Sequence, residues 1–507
     1  MPAVTIDGKA VEVVPGATLM DAARLAGAEI PALCHARGVR PQTSCMLCVV
    51  KDTRRGLLVP SCTARAEDGM VIETRCEEVL TARRSVLQML LSEHAGDCEA
   101  PCRHACPAFF DISEMMRRIE LGDHEGAAAI ARDELVLPAT LGYVCSAPCE
   151  KTCHRMVKDG ALRIRDLHRL VAEESTASQA ERAAATGRHV AIVGASAAGL
   201  AAAYVLLRLG HACTLFEKTE SAGRMIREYA EDALDYSVLD AEVAYIGRLG
   251  AQFHFGIDVG IEPTVETLRE RYDAVVISCD DLAGDGEGLF YAVEYPMAVN
   301  AIAEGKTVAD QAHRYLCGMP DHRRVRDFNS KLGPLREDEV EAFLSRLDPE
   351  HSTKRTFAGL LLKAALGTTG GARGDGNVDE PHAEASRCMH CECLKPASCQ
   401  LRRYATEYGA DQNAFRFARR GTLAPTLQFG EVVFEPGKCI KCGLCIAVGH
   451  DARAAFGMTL EGRGYGAQVK VPFEKDLATA LEVNAKRCVE ICPTGALAYR
   501  RGERQLP

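Results

Sequence analysis

The chain has 507 residues, of which 47% are hydrophobic and 26% charged, the balance of folded globular protein rather than of a disordered chain. At roughly 100–200 residues per domain it is long enough for several domains. Lysine and arginine number 60 against 70 aspartates and glutamates, for a net charge of −10, and aromatics make up 6% with no tryptophan; a basic field for phosphates and a stacking platform for bases are both missing, which excludes nucleic acid as a partner.

The 23 cysteines set the chain apart. Many stand two to four positions apart, too close to cross-link distant segments, and residues 1–9 carry neither the basic run nor the apolar stretch of a secretory leader. The expectation is reduced thiolates held for metal in a cytoplasmic compartment. One apolar run, residues 190–207, lacks charge, but Gly194 and Gly199 interrupt it at the spacing of a strand, turn and helix. No direct membrane insertion is expected.

In chain order, residues 3–14 alternate as a strand, an Asp7-Gly8 turn and a second strand, and a helix is predicted to start near Thr18 with Asp21 in its first turn. Cys34, Cys45, Cys48 and Cys62 follow as C-x10-C-x2-C-x13-C. Four thiolates on loops beside a small sheet suit a 2Fe–2S rhomb, in which each iron takes two sulfurs; a four-cysteine structural zinc site is the alternative. The pattern resembles the N-terminal domain of the large iron–sulfur subunit of respiratory complex I, a domain also found in iron-only hydrogenases and NAD-linked formate dehydrogenases. That resemblance implies a β-grasp ferredoxin-type domain over residues 1–80 with one 2Fe–2S cluster.

A helical region, residues 81–185, carries His94, Cys98, Cys102 and Cys106-Pro107, then Cys145, Cys149 and Cys153. It resembles the iron–sulfur domain of the glutamate synthase small subunit and dihydropyrimidine dehydrogenase, in which two 4Fe–4S clusters draw ligands from both halves. By position the resemblance assigns Cys106, Cys145, Cys149 and Cys153 to one cluster. Cys98 and Cys102 would begin the other, but fewer cysteines remain for it here. His94 or His168 is the candidate to complete it, and either can equally be an ordinary histidine.

Residues 189–200 run from strand to glycine turn (Gly194, Gly199) to helix, and Leu215-Phe216-Glu217 follows as a second strand, the dinucleotide fingerprint with an acid for ribose. Ser196 stands where the second glycine would lie; its side chain can push a cofactor outward or bond a phosphate. Compared with the glutamate synthase family, Arg224 follows Gly223, Ser278-Cys279-Asp280 replaces an Ala-Thr-Gly turn, and Val293-Glu294 stands for the flavin-contacting Gly-Asp. The resemblance thus implies an FAD-binding Rossmann-type domain over residues 186–320. Only about 20 residues separate Ile277 from Ala298, whereas one βαβ unit needs roughly 30, so the family's inserted NAD(P)H domain has no room. Bound FAD and an empty Rossmann scaffold both remain open.

Residues 321–380 read as a helical connector and linker, with Val340, Phe343 and Leu344 on one helix face and a glycine-rich run at 367–376. A four-cysteine module, residues 381–425, holds Cys388, Cys391, Cys393 and Cys399, enough for one cubane or one zinc. Residues 426–507 resemble a bacterial ferredoxin: Cys439, Cys442 and Cys445 form one triplet, completed by Cys492-Pro493. The second ferredoxin site would need thiolates at Gly449, Glu482, Ala485 and Cys488, and only the last is one. A single 4Fe–4S cluster is expected there, with Cys488 outside it. Of the cysteines left over, Cys213, Cys279 and Cys317 read as small buried hydrophobes.

The fold class expected is therefore a multidomain α/β and α+β chain: β-grasp 2Fe–2S domain, helical two-cluster domain, truncated Rossmann domain and ferredoxin-like C-terminal domain. The cofactors implied are one 2Fe–2S cluster, three to four 4Fe–4S clusters and FAD. The function implied is an electron-transfer subunit of a cytoplasmic oxidoreductase complex, whose partners include a metal-dependent catalytic subunit. The alternatives are a self-contained FAD-dependent NAD(P)H oxidoreductase and a zinc-bound scaffold.

Overall fold

The computed structural model describes residues 1–175, 181–230, 233–279, 281–282, 285–293, 295–320, 326–344, 380–415, 423, 425–452, 456–474 and 476–500. Glu294, Asp280 and the run 367–376 lie outside them. The chain divides into two compact units: the first is Met1–Glu99, Arg326–Leu347 and Cys391–Pro507, the second Ala100–Val325 and Asp348–His390. Two expected domains are divided by this arrangement. The stretch 81–185 splits between Glu99 and Ala100, and the four-cysteine module splits between His390 and Cys391.

The first unit opens with β1 (Ala3–Ile6) and β2 (Lys9–Glu12), joined through Asp7 and Gly8, both at positive φ as a tight hairpin demands. The helix Leu19–Ala26 begins where predicted. Thr18 Oγ1 accepts from the Asp21 amide at 3.2 Å and Asp21 accepts from the Thr18 amide at 3.1 Å, a reciprocal cap whose loss costs about 1 kcal/mol. With β3 (Val49–Asp52), β4 (Leu57–Pro60) and β5 (Val71–Glu73) the sheet has the order β2-β1-β5-β3-β4, parallel only between β1 and β5. Val4, Ile6, Leu19, Ala22, Val50 and Ile72 fill the space between sheet and helix. The helix Glu77–Glu93 then leads away, its buried Arg83 donating to Val49 O at 2.8 Å and to Tyr408 Oη at 3.1 Å.

The second unit combines short helices over residues 101–174 with a parallel sheet. β6 (His189–Val193), β7 (Ala212–Glu217), β8 (Gln252–Phe255), β9 (Ala274–Ile277) and β10 (Leu289–Tyr291) lie in the order β10-β9-β6-β7-β8. The run 190–207 is the strand, turn and helix (Ala197–Arg208) expected, buried on all sides. The helix Ala298–Leu316 packs against it through Gly305, where a Cβ would meet Ala198 O at 2.1 Å. Between β9 and that helix, β10 is the one strand among the described residues.

The remainder of the first unit contains β11 (Leu427–Phe429) and β12 (Val432–Phe434), a hairpin β13 (Thr459–Glu461) with β14 (Gln468–Lys470), and β15 (Leu497–Tyr499), which pairs antiparallel with β12. The expected connector helix is present as Glu337–Leu344, with Val340 and Phe343 buried in this unit. Among the described residues no helix is long and apolar enough to cross a membrane.

Candidate metal centres

Three sets of cysteines converge in the first unit. Around the N-terminal loop, Thr43 and Met46 take positive φ and curl the chain so that Cys34 Sγ accepts from the Cys45 amide and Cys45 Sγ from the Leu33 amide, both at 3.4 Å. Ser61 fastens the other side, donating through N and Oγ to Cys48 O at 3.1 and 2.7 Å. The thiols pair off. Hydrogen bonding from Cys45 brings Cys34 down to about 5, and bonding from Cys48 brings Cys62 down to about 7, while Cys45 and Cys48 are pushed up by those same pairings and by burial. Two pairs, 34/45 and 48/62, match the two sulfurs that each iron of a 2Fe–2S rhomb requires.

Cys439, Cys442, Cys445 and Cys492 line one cavity with Phe434, Leu444 and Val469. Lys441 turns through φ 56° and its amide points at Cys439 Sγ, 3.4 Å away. Burial pushes Cys439 up to about 11 and Cys442 up to about 12, with the Cys492 charge adding to both. Thiols raised in this way need a cation to hold them as thiolates, and that is what an iron cluster provides. Cys488 is buried nearby on the helix Ala485–Ile491, its Sγ 3.9 Å from Cys445 O.

The third set is Cys98, Cys393 and Cys399. Cys393 N donates to Cys98 O at 3.2 Å, and burial followed by the charges of Cys393 and Cys399 pushes Cys98 up to about 12. These sets adjoin one another. Ser44 Oγ donates to Cys442 O at 3.1 Å, Cys34 lies close enough for its charge to act on Cys442, and Cys492 acts likewise on Cys399. A cleft of about 660 Å³ is bordered by residues flanking all three: Leu33 and His35, Ser398, and Cys492 itself.

In the second unit, Cys106 ends the helix Pro101–Ala105 and Cys145 ends the helix Pro138–Val144. Burial raises Cys145 and Cys149, and Cys106 adds to both. Cys153, assigned by position to the same cluster, lies close enough to Cys388 for the charge of that thiolate to raise it. A lattice of ion pairs joining buried Arg155, Arg387 and Glu384 with half-buried Asp159 surrounds them. Arg155 holds Asp159 through Nε and Nη2 at 2.8 Å each and donates to Arg387 O at 2.7 Å; Arg387 in turn holds Glu384 at 2.7 Å and Asp159 at 3.1 Å. Cys388 thus neighbours Cys153, whereas Cys393 and Cys399, which were expected to share one site with it, sit beside Cys98.

His168 is buried on the helix Ile164–Glu174, its Nδ1 2.9 Å from Pro138 O and its ring edge-on to Phe110 at 6.0 Å. A carbonyl accepts, so Nδ1 carries the proton and Nε2 keeps the lone pair, the state in which histidine binds metal. Burial drives the ring down to about 4, leaving it neutral. It belongs to the unit of Cys106, Cys145 and Cys149, not to that of Cys98, which it was expected to serve. His94, beside Cys98 in sequence, is likewise driven down to about 4 by burial, and its Nδ1 has no hydrogen-bond partner among the described residues.

At the Rossmann turn, Gly194 has φ 96° and a Cβ there would meet Ser278 O at 2.6 Å; at Gly199 it would meet Gly194 O at 2.1 Å. Ser196 caps the helix, its Oγ accepting from the Gly199 amide at 3.3 Å. Glu217 accepts from the Ala195 amide at 2.7 Å and from the Thr219 amide and hydroxyl at 2.9 and 2.8 Å, leaving one of about four acceptor positions for a ribose. The turn and helix N-terminus suit a pyrophosphate. Beyond them, Ser196, Met225, Ile226 and Tyr295 line a small cavity of about 20 Å³. The glycine turn, the capped helix and Glu217 thus fit the pyrophosphate and ribose of a dinucleotide such as FAD.

Sequence reading missed one group. His211 Nε2 lies 2.8 Å from His313 Nδ1, and Cys317 Sγ, exposed rather than buried as expected, lies 3.7 Å from that nitrogen. The three ligand atoms are within 4.8 Å of one another. The spacing of His313 and Cys317 by four on one helix was the available signal.

Comparison with known proteins identifies three domains: a 2Fe–2S iron–sulfur cluster binding domain at residues 3–77, a dihydropyrimidine dehydrogenase domain II, 4Fe–4S cluster, at 77–180, and an NAD(P)-binding Rossmann-like domain at 192–255. The β subunit of NADP(+)-dependent formate dehydrogenase from Moorella thermoacetica is 34% identical over 37% of this chain and 31% of its own length. The NAD-dependent dihydropyrimidine dehydrogenase subunit PreT of Escherichia coli K12 is 32% identical over 45% of this chain and 58% of its own length. The small chain of NADPH glutamate synthase from Mycobacterium tuberculosis is 29% identical over 42% and 47%. The chain thus spans about a third to three fifths of the length of these relatives. It carries 2Fe–2S, 4Fe–4S and Rossmann-like domains in succession and is homologous to iron–sulfur subunits of oxidoreductases.

Proposed function

We propose that the chain is an electron-transfer subunit of a larger oxidoreductase complex in a reducing, cytoplasm-like compartment, passing single electrons to or from a partner that holds a metal-dependent catalytic centre. The observation that carries this reading is the contiguity of the thiol sets in the first unit. The loop of Cys34 and Cys45 is hydrogen-bonded to the loop of Cys442 through Ser44, and Cys492 of that second set neighbours Cys399 of the third. Clusters are one-electron carriers whose potentials respond to burial and to N–H groups aimed at sulfur, and both are present at Cys34, Cys45 and Cys439. Only 20 residues separate β9 from the helix Ala298–Leu316, so a second nucleotide domain for a hydride donor has no place there.

The test is anaerobic purification of the chain with any subunits that accompany it, followed by reductive titration. Dithionite should bleach the visible absorption and develop EPR signals of both 2Fe–2S and 4Fe–4S type, with spin–spin broadening between neighbouring clusters in the fully reduced protein. NADH and NADPH should reduce the isolated chain negligibly. Rapid reduction by either nucleotide would favour the self-contained NAD(P)H oxidoreductase instead.

A further inference from the structure

We propose that Cys388, Cys391, Cys393 and Cys399, contiguous in sequence, serve two different clusters: Cys391, Cys393 and Cys399 close a site with Cys98, while Cys388 joins Cys153 and Cys102. This rests on the electron-transfer reading and adds the ligand sets to it.

The first set is built into one unit by three segments. Residues 97–99 are pinned to residues 329–332: Cys98 N donates to Ser330 O at 3.2 Å, Ser330 N points at Cys98 Sγ at 3.4 Å, Glu99 N donates to Asn329 Oδ1 at 3.1 Å and Leu332 N donates to Asp97 Oδ1 at 2.8 Å. Arg402, one turn after Cys399, pairs with Glu99 and donates to Phe328 O at 2.9 Å, which ties the third segment to both. The Arg402 amide aims at Cys399 Sγ at 3.5 Å. Cys393 packs against Gly495 so closely that a Cβ there would lie 2.1 Å from its sulfur. Cys391 borders a small cavity together with residues 95–97 and Lys438, placing it on the Cys98 side of the segment. Cys98 thus takes the place that sequence spacing gives to Cys388.

Cys388 is held in the other unit by Arg387, whose guanidinium also donates to Gly160 O at 2.9 Å. Glu384 accepts from the Arg163 amide at 3.0 Å, so the helix Glu380–Ala385 is anchored to the loop that follows Cys153. Cys102 lies on the helix Pro101–Ala105, which packs on the helix Pro148–Lys151 just before Cys153.

Double substitution separates the two groupings. Full-length protein, prepared anaerobically, is assayed for iron, acid-labile sulfide and EPR as Cys98→Ser, Cys388→Ser, Cys399→Ser and the pairs 98/399 and 388/399. Cys98→Ser and Cys399→Ser should each lose about four irons and the same EPR signal, and their double variant no more than either alone. Cys388→Ser should lose a different signal, and the 388/399 pair the sum of both losses, about eight irons. Equal iron in Cys388→Ser, Cys399→Ser and their double, or additive losses at 98 and 399, would overturn the proposal. Retention of the 2Fe–2S signal reports that the first unit has folded. Should a serine variant lose it, Cys98→Asp and Cys399→Asp, which keep an anionic ligand, should shift one and the same 4Fe–4S signal, and shifts in two different signals would overturn the assignment. An iron-free wild-type protein is a separate outcome that overturns the electron-transfer reading itself.

Discussion

The N-terminal thiol site and the Cys153–Cys388 site are held together in opposite ways. Cys34, Cys45, Cys48 and Cys62 hang from one small sheet and its loops, and the hydrogen bonds that shape their nest, Leu33 to Cys45, Cys45 to Cys34 and Ser61 to Cys48, all arise within 29 residues of sequence. Cys153 and Cys388 are 235 residues apart and meet where the buried Arg155, Arg387 and Glu384 form an ionic lattice with half-buried Asp159. A locally built site depends on a turn and a sheet. A site built from a distance depends on every charge in the lattice being paired, because a buried charge left alone is strongly destabilising.

The largest effect should therefore come from breaking that lattice. Arg387→Met leaves the buried Glu384 without its cation and Asp159 with Arg155 alone, and the exposure of Arg387 is only 2%, so a cost of about 3–5 kcal/mol to the second unit is expected. Iron should fall by about four per chain as Cys388 loses its anchor, while the 2Fe–2S EPR signal persists. Joint loss of both signals would show that the two regions are not independent. The reciprocal change, Cys48→Ser, should remove about two irons and the 2Fe–2S signal and leave the 4Fe–4S signals in place. Its own sheet supplies the rest of that domain's stability, so thermal unfolding of the second unit should be unchanged.

The same contrast decides what could be read from residues alone. The hairpin at Asp7-Gly8, the cap at Thr18, the strand–turn–helix at residues 189–208 and the four-thiol spacing from Cys34 to Cys62 all follow local rules, in which turn chemistry, capping and alternation act within a few residues. Cys388 to Cys399 obeys no such rule. Its proximity in sequence suggested one site, but the backbone turns at His390, φ 41°, and the ion pairs of Arg387 and Arg402 draw the two halves to different neighbours. Those arginines are ordinary charges in a sequence and become decisive only when buried. Glu217 shows the same limit: its position predicted a ribose contact, and three of its acceptor positions are taken by its own chain.

A smaller effect should separate position from ligation at Cys145. The helix that ends at Cys145 is capped at its start by Glu242, whose carboxylate accepts from the Ala139 and Thr140 amides at 2.8 and 2.9 Å. Burial pushes this carboxyl up to about 7, above its ordinary value of 4.5. The native protein then retains a proton that the unfolded chain has released, so its contribution is fully present below pH 4.5 and is lost as pH rises through about 7. Glu242→Gln cannot titrate, and the melting temperature of the variant should fall less than that of the wild type between pH 5 and 8. Parallel pH profiles would remove Glu242 as the cause.

The smallest effect concerns the link between neighbouring sites in the first unit. Ser44→Ala deletes the single side-chain hydrogen bond from the 2Fe–2S loop to Cys442 O, a neutral bond at an exposed residue worth about 0.5 kcal/mol. Iron content should not change, because no ligand is touched. Spin–spin broadening between the two reduced clusters should also survive, because it depends on their separation, and that separation is fixed elsewhere as well. Gly443, at φ 80°, places its Cα so near Gln42 that a Cβ would lie 3.0 Å from Oε1, and Arg487 Nη2 donates to Arg37 O at 3.3 Å. Loss of the broadening on removal of one hydroxyl would mean that this junction, unlike the lattice around Arg387, hangs on a single bond, and the two sites would then have to be regarded as loosely hinged rather than packed.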